Sequence, residues 1–352
     1  MKLTRATADE VAKLAGVSQP TVSRVFTPGS RVSPDKVQRV REAARELGYL
    51  PNTLARSLNS GRSYTIGIVL AYLKNQFYPD ALQKLSERLS ERGYHVMVFF
   101  ATNLDDEVDG VVDDLLAHQV DGIILASVSM SNHLTARLLE LKMPFVLFNR
   151  GQDDKTLPSV TAENFQGGRI AGRFLAAAGH KRIAHIAGWK GSLNGRDRQA
   201  GFIAGLGDYG MEPFAITDSH FRRGMAINAT RELFEGRDVP DAIFVGNDHM
   251  AIAVLETVRC EIGLRVPEDL SIIGFDDVPM SAWKLIDLTT IRQPVIQMVD
   301  ECVEMLLGII EHNEVPKGRL EVKSKLIIRG SARIPENWPP RDGHLPSANI
   351  EE

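Results

Sequence analysis

From Thr65 onward the chain repeats one unit: a short apolar run, then an amphipathic stretch long enough for a helix. TIGIVL, HVMVFF, DGIILAS, PFVLFN, RIAHIAG, DAIFVGN and LSIIGFD read as buried strands. DALQKLSERLSERGY, DEVDGVVDDLLAHQV, HLTARLLELK, GGRIAGRFLAAAGH, RDRQAGFIAGLGDYG, AINATRELFEG and HMAIAVLETVRCEIG read as helices. Strands that are apolar on both faces and alternate with helices form a parallel sheet covered on both sides. There are too many units for one sheet, so two similar α/β lobes are expected. A chain of 352 residues has room for two or three domains, each with its own core.

Residues 1–63 have a different texture. Thr7-Ala8-Asp9-Glu10 is a capping box, with Val11, Leu14 and Ala15 as one apolar stripe behind it. Gly16 stops that helix. Ser18 caps a second, and Pro20 sits in its first turn, where a missing N–H costs nothing. Val22 and Val25 face inward with Val11 and Leu14, which leaves Gln19, Thr21, Ser23 and Arg24 outward. Two helices joined by a short glycine turn make a helix-turn-helix. A third helix starts at Ser33-Pro34, carries Val37, Val40, Ala44 and Leu47, and ends at Gly48. This segment holds eleven Lys/Arg against five Asp/Glu, about +6, and the remainder of the chain is about −10. A basic head on an acidic body is the asymmetry expected where one end meets phosphate.

The runs DEVAKLAGVSQPTVSRVF and RVSPDKVQRVREAARELGYLPNTLARSL, followed by TIGIVL, resemble the LacI/GalR family of bacterial transcription regulators over about residues 6–333. The resemblance implies a second helix in the DNA major groove. Gln19, Pro20 and Arg24 would be its readers, with Ser18, Thr21 and Ser23 near phosphates. An arginine can fork to the O6 and N7 edges of guanine. Residues 52–60 resemble the family's hinge helix, too short to be stable alone. Asn52 would cap it, with Ala55 and Leu58 on one face and Leu58 wedging between bases in the minor groove. For the rest, the resemblance implies a two-lobed periplasmic-binding-protein-like effector domain. The expected divisions are a head at 1–63, lobe one at about 64–163 and 291–318, lobe two at about 164–290 and 319–333, and a disordered, proline-rich tail at 334–352. Chain crossings are expected near Ala162–Asn164, Thr289–Gln293 and Arg319.

Ligands of open α/β sheets sit beyond the carboxyl ends of the strands. That rule selects Ala71–Phe77, Ser127, Asn149-Arg150, Trp189, Asn247-Asp248 and Asp276-Asp277. The resemblance carries effector contacts to Arg198, Asn247, Asp276 and Asn149. Phe77 and Trp189 are expected to pack on an apolar ligand face, and Gln293 lies at a crossing. Asn247 and Asp248 have a second reading as caps of the following helix. Trp189 has one as lobe packing. A polar set with an aromatic suits a sugar, polyol or sugar acid.

Other classes fit less well. GxSxG, HExxH and a strand-linked GxGxxG do not occur, and the nine histidines lack metal-ligand spacing, so neither an enzyme nor a cofactor is expected. A solute-binding protein would carry an apolar signal segment and no basic head. Cys260 and Cys302 lie in apolar helical patterns and read as buried thiols of a cytoplasmic protein. The tail lacks a leucine heptad, so a homodimer on a palindromic operator is expected, with Asp80–Arg92 at its interface.

Overall fold

The computed structural model describes residues 6–26, 31–49, 62–71, 73–101, 105–126, 132–315, 318–336 and 338; for 105–109, 132 and 133 it describes the backbone alone. The expected hinge with Asn52, Ala55 and Leu58 lies outside these residues, as do Ser127 and all but three residues of the segment 335–352. The chain divides into two compact units, one ending at Ser63 and the other beginning at Tyr64.

The first unit holds α1 (Ala8–Ala15), α2 (Gln19–Val25) and α3 (Pro34–Glu46). The capping box forms: Glu10 N–H donates to Thr7 Oγ1 at 3.3 Å, and Thr7 N–H donates to the Glu10 carboxylate at 2.7 Å. Gly16 takes the left-handed conformation at φ 63° and ends α1. Ser18 stands at the N-cap of α2, but its hydroxyl pairs with the Thr21 hydroxyl at 2.9 Å rather than with a helix N–H. The core is Val11, Ala12, Ala15, Val22, Val40, Ala43 and Ala44. Leu14 and Leu47, expected inside, are 49% and 38% exposed. Successive helical residues turn by about 100°. The buried arc of α1 is centred on Ala15, between Val11 and Ala12, and Leu14 falls beyond its rim.

The second unit contains two six-stranded sheets. The first includes β1 (Thr65–Leu70), β2 (His95–Phe100), β3 (Gly122–Ala126), β4 (Phe145–Phe148) and β5 (Ser159–Ala162). The helices α4 (Phe77–Glu91), α5 (Asp105–Ala117) and α6 (Asn132–Glu140) connect these strands. After α7 (Asn164–Ala177) the second sheet takes β6 (Ile183–Ala187), β7 (Ala215–Asp218), β8 (Ala242–Val245), β9 (Ser271–Asp276) and β10 (Thr289–Arg292). Its connecting helices are α8 (Leu193–Gly207), α9 (Arg223–Leu233) and α10 (Asp248–Thr257). The long α11 (Val295–His312) then returns to the first lobe, where Met298, Val299, Cys302 and Val303 join the core under α4. β11 (Arg319–Val322) closes the first sheet beside β5, and β12 (Lys325–Ile327) closes the second, antiparallel to β10.

The first two crossings fall where expected. The third does not: β11 pairs with β5 from Arg319 to Val322, so the chain crosses at Lys323-Ser324 and residues 319–322 belong to the first lobe. Cys302 is buried, but Cys260 is exposed. It lies in a π turn, Val258–Ile262, which rotates the chain off the apolar face of α10. Trp338, in the tail expected to lack structure, packs edge-on against Phe174 with ring centroids 4.9 Å apart.

Helices α7 and α8 touch backbone to backbone. A Cβ on Gly201 would lie 1.9 Å from the Phe165 carbonyl oxygen, and one on Gly168 would lie 2.2 Å from that of Arg198. Gly172 and Gly205 make the same approach to Phe202 and Arg169 carbonyls, at 2.5 and 2.3 Å. Gly207, on the same helix, has nothing within 4 Å. Gly201→Ala is therefore expected to destabilise the fold by about 2–3 kcal/mol through overpacking. Gly207→Ala is expected to be neutral or to stabilise by about 0.5 kcal/mol through helix propensity. Urea unfolding of both variants checks the pair.

Candidate effector cleft and nucleic-acid surface

The close helix contact sets the position of Arg198. Its guanidinium carbon lies 3.6 Å from the Phe275 ring centroid. Nε donates to Asn164 Oδ1 at 2.8 Å, and Nη1 donates to the Gly246 carbonyl at 2.7 Å. Nη1 is also 3.6 Å from Asp276 Oδ1. The residue is 3% exposed, and a buried charge is tolerated only with such partners.

Asp276 ends β9 in the strained left-handed half of backbone space, at φ 133°. Its carboxylate accepts from Gln293 Nε2 at 2.7 Å and from Asn75 Nδ2 at 3.2 Å. Asn75 lies between β1 and α4 of the first lobe, so this bond spans the cleft between lobes. Asn149, also with positive φ at 61°, donates from Nδ2 to the Tyr78 hydroxyl at 3.1 Å. Its carbonyl accepts from Asn194 Nδ2 at 2.5 Å, a second bond between lobes. The side-chain oxygens of Asn149, Asn194 and Gln293 are buried and have no hydrogen-bond partner among the described residues. Buried acceptors are rarely left this way without reason, and a bound donor would satisfy them.

The cleft thus gathers Arg198, Asp276 and Asn149 of the expected residues, and Gln293 from the crossing. Asn75, Asn164, Tyr78 and Asn194 join them without having been singled out as contacts. Asn247 is a cap, accepting from Met250 N–H at 3.0 Å. Asp248 does not cap its own helix. It accepts from Thr290 Oγ1 at 2.6 Å, Ser281 Oγ at 2.7 Å and Val278 N–H at 3.0 Å, tying the 278–290 loop down. Phe77 is in the first-lobe core, stacked on Phe148 at 6.4 Å. Trp189 is half-buried under the Arg150 guanidinium, 5.0 Å from its ring. Asp277 points away from Asp276 and pairs with Arg292 and Arg329 at 2.6 Å. His180 lies between Ser271 Oγ at 2.9 Å and Asp241 Oδ1 at 3.5 Å, the order of a hydrolase triad. Its ring and Ser271 are fully buried, and Ser271 Oγ also accepts from Arg333 N–H. The group fastens residues 331–333 to the second sheet. In the head, Ser18, Gln19, Pro20, Ser23 and Arg24 are exposed on one side of α2, and Thr21 is half-buried.

Residues 7–52 match the model of bacterial regulatory proteins of the lacI family, and residues 173–332 match a periplasmic binding protein-like domain. The HTH-type transcriptional regulator CelR of Thermobifida fusca is 32% identical over 337 residues, covering 93% of this chain and 98% of that protein. This chain belongs to the LacI family. The ribose operon repressor of Escherichia coli K12 is 30% identical, over 93% of this chain and 100% of the relative. A lac repressor dimer bound to operator and an anti-inducer superposes with a TM-score of 0.82 at 28% identity, over 93% and 99% of the two chains. A CelR–cellobiose complex superposes at 0.70 with 31% identity, over 93% and 100%. Among the described residues, no helix is long and apolar enough to cross a membrane.

Burial pushes the Asp276 carboxyl up to about 7, with Arg198 opposing the shift. An unfolded aspartate titrates near 3.9, at about that value. Between those limits the folded state holds a proton that the unfolded state has released. Stability from this group is therefore gained as pH falls through about 7 and lost as pH rises toward it. Wild type should lose stability relative to Asp276→Asn across this window, by at most about 1.4 kcal/mol per pH unit. Denaturant midpoints at successive pH values check this, and parallel profiles for the two proteins contradict it.

Proposed function

We propose that this LacI-family chain is a sequence-specific DNA-binding repressor whose operator affinity is set by a polyhydroxylated ligand, a sugar, polyol or sugar acid, in the cleft around Arg198. The observation that carries the ligand class is the set of three buried amide oxygens that have no hydrogen-bond partner among the described residues, in the cleft that holds Arg198 and Asp276. Sugar hydroxyls are donors and acceptors together. They can satisfy the amide oxygens while competing with Asn75 for the Asp276 carboxylate. The relatives agree in kind, one named for the ribose operon and another solved with cellobiose.

On the DNA side, Gln19, Pro20 and Arg24 read bases, and Ser18, Thr21 and Ser23 position the helix on phosphates. Asn52, Ala55 and Leu58 form the minor-groove hinge. Pro20 has no side-chain donor, so its position reads by shape or van der Waals contact. Two half-sites require two heads, and the operator-bound lac repressor dimer supports a homodimer on an imperfect palindrome. In the cleft, Arg198, Asp276 and Asn149 make the polar contacts. Asn247 shapes the site through its cap, and Phe77 and Trp189 support its walls.

Fluorescence anisotropy on a palindromic site selected from random DNA tests this reading. Wild type should bind with a steep salt dependence, and one member of a sugar and sugar-acid panel should change the affinity. Arg24→Ala should cost about 1–3 kcal/mol and relax discrimination at one base pair. If no selected DNA binds under any ligand, the reading fails.

A further inference from the structure

The first-lobe segment that follows β4 lies along the turn that opens α8 of the second lobe. Asn149, with its left-handed φ of 61°, turns the chain there, and its carbonyl accepts from Asn194 Nδ2. A Cβ on Gly151 would meet Leu193 Cδ2 at 2.9 Å, and Asp153 pairs with Arg196. Between these contacts the Arg150 guanidinium carbon stands 5.0 Å from the centroid of the Trp189 ring. Residues 149–153 of one lobe and 189–196 of the other thus meet beside the cleft.

The two partners of the stack are held differently. Trp189 is built into the turn: its carbonyl accepts from Ser192 N–H at 3.0 Å and from Ser192 Oγ at 2.9 Å, and Ser192 Oγ in turn accepts from Gly195 N–H to cap α8. A Cβ on Gly191 would lie 2.3 Å from the indole, and one on Gly195 would lie 2.3 Å from the Trp189 carbonyl oxygen. The ring is therefore fixed in the second lobe and half-buried. Arg150 reaches it from the first lobe on a long, unbranched stem. A cation over a tryptophan face is attracted by the ring quadrupole, enough to change an equilibrium by about two- to thirtyfold. The Arg196–Asp153 pair is exposed on both sides and adds little.

We infer that the Arg150–Trp189 stack is a latch between the lobes that sets how readily the cleft opens. Its role rests on the ligand cleft proposed above; the contact itself does not. The partners border the ligand groups, since Arg150 follows Asn149 and the Trp189 turn leads into α8, which carries Arg198. Parting the stack moves Asn149 and Arg198 apart with it. The guanidinium also covers one face of the indole, so a hydroxylated ligand reaches that face only by displacing Arg150. A ligand that does so exchanges a contact between lobes for one of its own.

The test uses the full chain with neither DNA nor sugar, so its failure leaves the operator and ligand readings untouched. Nitroxide labels are attached through Glu140→Cys in the first lobe and Glu235→Cys in the second, both exposed positions, in a Cys260→Ser background. Labelled chain is diluted into unlabelled chain, so that each measured distance lies within one protomer. Double electron–electron resonance is recorded for this parent and for Arg150→Ala, Arg150→Lys and Trp189→Ala, and circular dichroism melts confirm folding. One dominant distance population is expected in the parent. Each alanine variant should lower the ratio of that population to a second one by about fivefold or more. Both changes together should do no more than either alone, because they remove the same contact. Arg150→Lys, which keeps the cation, should fall between. Distance distributions that are the same in the parent and the folded alanine variants overturn the latch. A shift with Arg150→Ala but none with Trp189→Ala overturns it as well, because the arginine would then act through another partner.

Discussion

Four glycines allow α7 and α8 to meet without side chains between them, and the cleft depends on that contact. Gly168 and Gly172 on one helix face Gly201 and Gly205 on the other, each against a backbone carbonyl. The approach brings Arg198 to the neighbouring helix, where its Nε reaches Asn164 at 2.8 Å. Gly167, one residue earlier, leaves room for the Phe275 ring, which a Cβ would meet at 2.6 Å. That ring is the surface on which the guanidinium rests. A side chain at any of these positions would push the arginine away from the Gly246 carbonyl or tilt its support.

A charge placed this deep needs its surroundings arranged around it. Asp276 supplies the opposite charge, and burial raises its pKa at the same time, so the pair is finely poised. Asn75 and Gln293 hold the carboxylate from the first lobe and from the crossing strand. The lobes thus meet through polar bonds at Asp276 and Asn149, beside apolar contact of Val278, Ile252 and Met280 with the first-lobe core. Bonds of that kind are exchanged at low net cost for those of a hydroxylated ligand. Asp277, one residue on, belongs to a separate pairing with Arg292 and the largely buried Arg329, which keeps a second carboxylate out of the cleft.

Where strands are continuous apolar runs, the sequence shows them to the residue: β1 and β2 coincide with TIGIVL and HVMVFF. The strands that go unread are short and carry polar residues, such as SVTA of β5, TTIR of β10 and the three-residue β12. Helices α4, α7, α8 and α9 begin three residues before their apolar periodicity does. α8, for example, starts at Leu193 behind the Ser192 cap, with Asn194 and Arg196 in its opening turns. The lobes and Arg198 are therefore legible, Arg198 through the family resemblance. Asn75 falls in the selected stretch Ala71–Phe77 and Asn164 at the first crossing, but Tyr78 and Asn194 are not legible, because what makes them cleft residues is the approach of elements far apart in sequence. Leu14 shows the same limit in the head: its spacing fits the apolar stripe, but the neighbouring helices cover a different arc.

Under the proposed function, cleft and head share one energy balance. Thermodynamic linkage requires the factor by which a ligand changes operator affinity to equal the factor by which operator changes ligand affinity. The direct measurement is calorimetric titration of the active sugar into the full chain, with and without saturating operator, beside Arg198→Lys. The same factor is expected in both directions for wild type and a factor near one for the variant, which keeps the charge but loses the fork. Identical sugar affinity with and without operator in the wild type would contradict it.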